Sequence, residues 1–136
     1  MKTTKLLVGL VNLVAILSLT GCASKPSDPE EALKENIQVL RDVITNTVKD
    51  EVRRNSLLVS TRSLESTLYA YNQAYSRFAT EYGKLNRQYD TPRKELENIL
   101  VSYRKTRRAT LSKVAKIHFD MVAQTTEEEW KKITQI

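Results

Sequence analysis

Few side chains in this 136-residue chain are of a type that does covalent or proton-transfer chemistry. There is one cysteine, Cys22, and one histidine, His118. A single thiol cannot close an internal disulfide or supply a cysteine-based zinc site. A single imidazole rules out a histidine-rich metal site. His118 and Asp120 stand two apart, which on a helix sends them to different faces, so a Ser-His-Asp arrangement has no local support. His118 is read as a structural residue. The basic run Arg104, Lys105, Arg107 and Arg108 is the other group with a chemistry of its own. Such cations can meet anionic lipid head groups, at about 1 kcal/mol each near a charged surface. The plainer reading is a solvated helix face with Glu95, Glu97 and Glu51 among its neighbours. No catalytic grouping, cofactor, metal site or small-molecule substrate is expected.

The thiol gains meaning from the residues before it. Lys2 and Lys5 lie in the first five residues, residues 6–19 carry no charge, and Thr20-Gly21-Cys22 follows. A basic start, a short apolar stretch and a small-residue region mark an export signal. A membrane-spanning helix needs about 20 apolar residues. The uncharged run does continue to Ser24, so an uncleaved membrane anchor is the alternative.

Leu19-Thr20-Gly21-Cys22 resembles the lipobox of bacterial lipoproteins at every position. The resemblance implies a diacylglycerol on the Cys22 sulfur, cleavage between Gly21 and Cys22, and acylation, as by palmitate, of the new amino group. One acyl chain holds a protein marginally and two or more hold it stably. Ala23 is not the aspartate that typically retains such proteins in the inner membrane. The resemblance therefore implies the outer membrane, periplasmic face, or the cell surface of a one-membrane host. Nucleic acid is implausible as a partner for an exported protein. The implied partners are the membrane, through its anchor, and a protein or a second copy of the chain.

Signal removal would take away residues 1–21, with Lys2 and Lys5, and lower the formal net charge of +6 by two. The rest is mildly basic with mixed signs, typical of a solvated helical surface. Three glycines and three prolines in the whole chain, with abundant Leu, Lys, Glu, Arg and Ala, point to a single all-α domain. Residues 22–29 form the anchor and linker: Pro26 and Pro29 with Ser24 and Ser27 keep it extended. It reaches at most about 25 Å, so the helical domain, residues 30–136, must sit close to the membrane face.

The first helix starts with Asp28 as N-cap, Pro29 in the first turn and Glu31 as capping-box partner. Leu33, Ile37, Leu40, Ile44, Val48 and Val52 recur at helical spacing. Further on, Leu64, Leu68, Tyr71, Tyr75, Phe78, Tyr82, Leu85 and Tyr89 keep a heptad seam of the coiled-coil type. Carried backwards, that seam lands on Thr61, Leu57, Arg54, Asp50 and Thr47, out of phase with the first stripe. A break is therefore expected within residues 50–60, with Asn55, Ser56, Ser60 and Thr61 as turn or cap residues. The four tyrosines bring bulk and a hydroxyl that needs a partner. They suit the wide core of a small bundle; the functional alternative is a tyrosine-lined groove for a peptide or glycan. Gly83 permits a close helix approach or marks fraying.

Thr91 and Pro92 open a third helix carrying Leu96, Ile99, Leu100, Tyr103, Leu111, Val114, Ile117 and Met121. Thr126 and Glu129 form a capping box ahead of Trp130, Ile133 and Ile136, and Trp130 pins this last helix onto the bundle. The stretch Thr125-Thr126-Glu127-Glu128-Glu129-Trp130 is similar to the LTxxQ signature of periplasmic Spy-like helical chaperones and metal-stress proteins, with Thr125 in place of the leucine and Glu129 in place of the glutamine. That resemblance implies binding of unfolded clients.

Helices are expected near 30–54, 61–89, 92–123 and 127–135. They would form an up-down-up three-helix bundle with a short C-terminal helix, or a long helical hairpin that dimerises to bury its stripes. The functional expectation is a membrane-anchored, periplasm-facing lipoprotein acting as a non-enzymatic interaction module, with a Spy-like chaperone as the alternative.

Overall fold

The structure, a computed structural model, describes residues 28–135. The expected signal, the lipobox with Gly21 and Cys22, and the linker up to Ser27 lie outside the described residues, as does Ile136. All regular structure described is α-helix: α1 Pro29–Thr47, α2 Glu51–Asn86, α3 Arg93–Val122 and α4 Glu127–Ile133.

Each helix start has a chemical cause. Asp28 caps α1 by accepting from the Glu30 N–H at 3.1 Å, with Pro29 in the first turn. The cap is made by this bond rather than by the reciprocal bond expected from Glu31. Asp50 caps α2 by accepting from the Arg53 N–H at 2.8 Å. Thr126 caps α4 in a full capping box: the Glu129 N–H donates to Thr126 Oγ1 at 3.2 Å and the Thr126 N–H donates to Glu129 Oε2 at 2.8 Å. The start of α3 differs from expectation. Pro92 takes the N-cap position without a side-chain cap bond. Thr91 turns backwards, and its hydroxyl donates to the Leu85 carbonyl at 2.6 Å, closing the C-terminal end of α2.

The break after α1, residues 48–50, comes earlier than expected and touches the expected window only at Asp50. Val48 leaves the helix with an extended backbone and is fully buried, and α2 begins at Glu51. Asn55, Ser56, Ser60 and Thr61 are helical, not turn residues. A capping carboxylate at Asp50 outcompetes them because it satisfies an orphan N–H directly. The seam runs further back than the expected shift of stripe allows: Leu57 and Thr61 are fully buried within α2. The Thr61 hydroxyl is satisfied by donating to the Leu58 carbonyl at 2.8 Å and accepting from Arg41 Nε at 3.2 Å.

The first three helices run up, down and up. Arg41 reaches Thr61 and Glu65 while Glu30 meets Gln73, so α1 is antiparallel to α2. Arg53 meets the Gln124 carbonyl and Phe78 stacks on Tyr103, so α2 is antiparallel to α3. The short α4 turns back onto α1. The core is gathered at one end, where Ile44, Val48, Leu57, Ile117, Met121 and Ile133 cluster, with Leu40, Leu64 and Trp130 packed against them. Each such aliphatic side chain contributes about 1.5–3 kcal/mol on full burial.

The helices are unequal, against the expectation of similar lengths. With 19, 36 and 30 residues, α1, α2 and α3 are about 28, 54 and 45 Å long. Because the break comes early, α1 is short and α2 long. The chain beyond Gln73 in α2 therefore pairs with α3 past the point where α1 begins.

Candidate functional site

The overhanging part of α2 and α3 carries the aromatic seam. Tyr71 and Tyr103 share a hydroxyl–hydroxyl bond of 2.7 Å. The Tyr103 ring stacks on Phe78 with centroids 4.1 Å apart and planes 12° apart. Tyr75 and Tyr82 flank this pair, at 6.1 Å from Tyr103 and 5.6 Å from Phe78 respectively. The hydroxyl bond to Tyr71 is the main reason the Tyr103 phenol is held above its ordinary range; burial adds to this, and the Arg107 charge opposes it.

The seam divides between its two expected environments: Leu64 packs against the core, while the aromatic part is half open. The aromatic part is not bundle core, because Tyr75 remains 51% exposed. That part is an aromatic zip between two helices, bordered by an open cavity of about 370 Å³ with Arg77, Phe78, Glu81, Asn98, Ser102 and Tyr103 in its lining. Tyr89, expected to end the seam, lies past the end of α2 and is fully exposed. Gly83 makes no close approach: a Cβ placed there would meet nothing within 4 Å.

At the opposite end a second cavity, about 220 Å³ and almost wholly apolar, is lined by Leu40, Leu64, Val114, Met121, Trp130 and Ile133. All four helices contribute to it, so no single stripe in the sequence announces it. His118 stands at this wall, edge-on to Trp130 with ring centroids 5.2 Å apart. Asp120 pairs with Lys116 at 2.6 Å. Trp130 does pin α4, and Arg53 locks it by gripping the Glu129 carboxylate at 2.7 Å.

The basic run lies along α3, and Arg104, Lys105, Arg107 and Arg108 are all exposed. The face is solvated, as expected, but the acidic neighbours do not balance it. Glu97 is taken by Arg93 at 2.6 Å. Glu51 opens α2 at the far end, beside the C-terminus of α3. Glu95 sits in the first turn of α3, more than two turns before Arg104. Among the described residues no ion pair uses any of the four cations.

Family models, curated proteins and solved structures give no match to this chain. The surfaces are therefore read from their own chemistry. Among the described residues, no group of three His, Cys, Asp or Glu side chains is placed to hold a metal ion. No described helix is long and apolar enough to cross a membrane. What the surfaces offer is aromatic faces, an apolar hollow and cations without an ion-pair partner among the described residues. Sequence reasoning found the cations and the aromatic seam. It missed the hollow under Trp130, and it missed Arg53 as the lock on α4. The N-cap pattern Asp50-Glu51 was the available signal that α2 starts there, with Arg53 in its first turn.

Proposed function

We propose that the chain is a lipid-tethered, non-enzymatic interaction module that presents its helices just above a membrane, at the periplasmic face of an outer membrane. The carrying observation is the tetrapeptide Leu19-Thr20-Gly21-Cys22 at the end of a basic-then-apolar leader. The all-helical body that follows within a short linker supports the same reading, because its surfaces are built for contact. Thiol acylation followed by amine acylation gives at least two buried chains, enough for a stable hold.

Radiolabelled fatty acid fed to expressing cells tests this. Label is expected on the wild-type protein and absent from Cys22→Ser, which should also lose its membrane fractionation. An unlabelled wild-type protein overturns the tether. Crosslinking in intact cells should then trap a reproducible protein partner that Cys22→Ser fails to trap.

The half-open aromatic zip favours a second reading, a chaperone-like binder of unfolded segments. Exposed Tyr75 beside an open cavity is the kind of surface such clients meet. The protein would then slow aggregation of a model client, and Tyr75→Ser with Phe78→Ser would abolish that effect. No slowing by the wild-type protein removes this reading.

A further inference from the structure

We propose that the outward face of α3 lies flat against an anionic bilayer. The inference deepens the tethered reading and rests on it, since the tether supplies the nearby surface.

Charge is the first observation. From residue 98 to residue 119 the chain carries six basic residues, Arg104, Lys105, Arg107, Arg108, Lys113 and Lys116, and no acidic one. Among the described residues only Lys116 of these is paired, with Asp120. An uncompensated cationic stretch of this length on one helix is attracted by a surface of negative charge.

Position is the second. At 3.6 residues per turn, Val101, Arg104, Lys105, Arg108, Ser112 and Phe119 fall within about 60° of one line along α3. Tyr103, Ile117 and Met121, which pack inward, lie on the opposite side. The outward line mixes cations with large apolar side chains that no described residue covers fully: Val101 is 63% and Phe119 68% exposed, with Leu111 at 57% beside them. Cations interleaved with exposed apolar groups are what a helix lying in a membrane interface presents.

The third observation is where the chain leaves α1. Glu30 bonds Gln73, and Tyr71, half a turn away on α2, bonds Tyr103. The N-terminus of α1 is thus level with Tyr103, immediately before Arg104. Cys22 is six residues ahead of Asp28, a reach of about 20 Å, or the width of two packed helices. A tether leaving at that height holds the basic face at the bilayer without tilting the body away.

The test uses the full chain with Cys22→Ser, carrying a fluorescent label on the single thiol introduced by Ser112→Cys or, as control, by Glu35→Cys. Both positions are exposed, one on the proposed face and one on α1. Each protein is bound to vesicles containing a lipid-borne quencher, made of phosphatidylcholine alone or with phosphatidylglycerol. Strong quenching is expected only for the α3 label and only with phosphatidylglycerol. At about fivefold per basic side chain, Arg104→Gln, Lys105→Gln and Arg108→Gln together should disfavour the face-down state on the order of a hundredfold and abolish the quenching. The proposal is overturned if the α3 label stays as water-exposed as the α1 label on vesicles that carry the chain. It also falls if the chain shifts a DNA duplex while that label stays aqueous, because the partner is then a nucleic acid. Fatty-acid labelling of Cys22 is read separately, so the tether and the face-down contact fail independently.

Discussion

Glu129 and Arg53, far apart in sequence, meet in a two-pronged ion pair: Arg53 Nη1 donates to Glu129 Oε2 at 2.7 Å and Nη2 to Oε1 at 3.2 Å. The same carboxylate accepts the Thr126 N–H at 2.8 Å. One side chain therefore caps α4 and fastens it to the first turn of α2. Arg53 first, and the Thr126 N–H second, hold the Glu129 carboxyl below its ordinary range.

That depression sets a pH dependence. A carboxyl with a lowered folded pKa stabilises the fold above its unfolded value, about 4.3, and loses that contribution as pH falls through the folded value. Glu129→Gln is expected to lower the urea midpoint at pH 7, and the gap to wild type should close progressively below about pH 4. A gap that is the same at pH 3 and pH 7 would show that charge is not the cause. Thr126→Ala, which removes the other half of the box, should cost about 1 kcal/mol at either pH.

Stability is expected to be concentrated at one end of the molecule. Ile44 and Leu57 are fully buried, so Ile44→Ala or Leu57→Ala should each cost about 2–5 kcal/mol in chemical denaturation. Tyr75→Ala, on the half-open zip, should cost about 1 kcal/mol or less. Amide exchange should follow the same division: slow and global around Ile44 and Ile117, faster and local around residues 76–100.

Gly83 gives a prediction of opposite sign. It sits inside α2 with a helical backbone and open space where a Cβ would go. Gly83→Ala should raise stability by about 0.5–1 kcal/mol. An unchanged or lower urea midpoint would mean that something not described packs against that position.

Tyr103 should titrate late. Its phenol is held high chiefly by the bond to Tyr71. The fold therefore keeps the full benefit of this pair below the unfolded value near pH 10, and loses it as pH rises through the higher folded value. Phenolate absorbance of the wild type should show one tyrosine lagging the rest, and Tyr71→Phe should remove the lag. The lost bond should cost about 0.5–1.5 kcal/mol at neutral pH.

Local chemistry made much of this fold legible. Asp28-Pro29 and Thr126–Glu129 announce helix starts because a side-chain oxygen satisfies a backbone N–H within three residues, whereas the expected break with Asn55, Ser56, Ser60 and Thr61 passes over the Asp50 cap. The heptad spacing through Leu64, Tyr71 and Phe78 announces one buried edge because a helix repeats every 3.6 residues. The basic run on α3 is visible for the same reason: charge and period are local properties. The aromatic zip was visible as a stripe, but its exposure was not. That depended on where α1 ends, and a misplacement of a few residues in the break changed how much of α2 lies bare.

The sequence by itself determined that the body is helical, two of its caps at Asp28 and Thr126, and the cationic stretch on α3. Only the tertiary structure decided that four helix ends share one core at Ile44, Leu57, Met121 and Ile133, that Arg53 finds Glu129, and that Arg104, Lys105, Arg107 and Arg108 form no ion pair among the described residues. The physical reason is range. Capping and periodicity act over three or four residues, whereas packing and ion pairing depend on distances between segments that chain order leaves free.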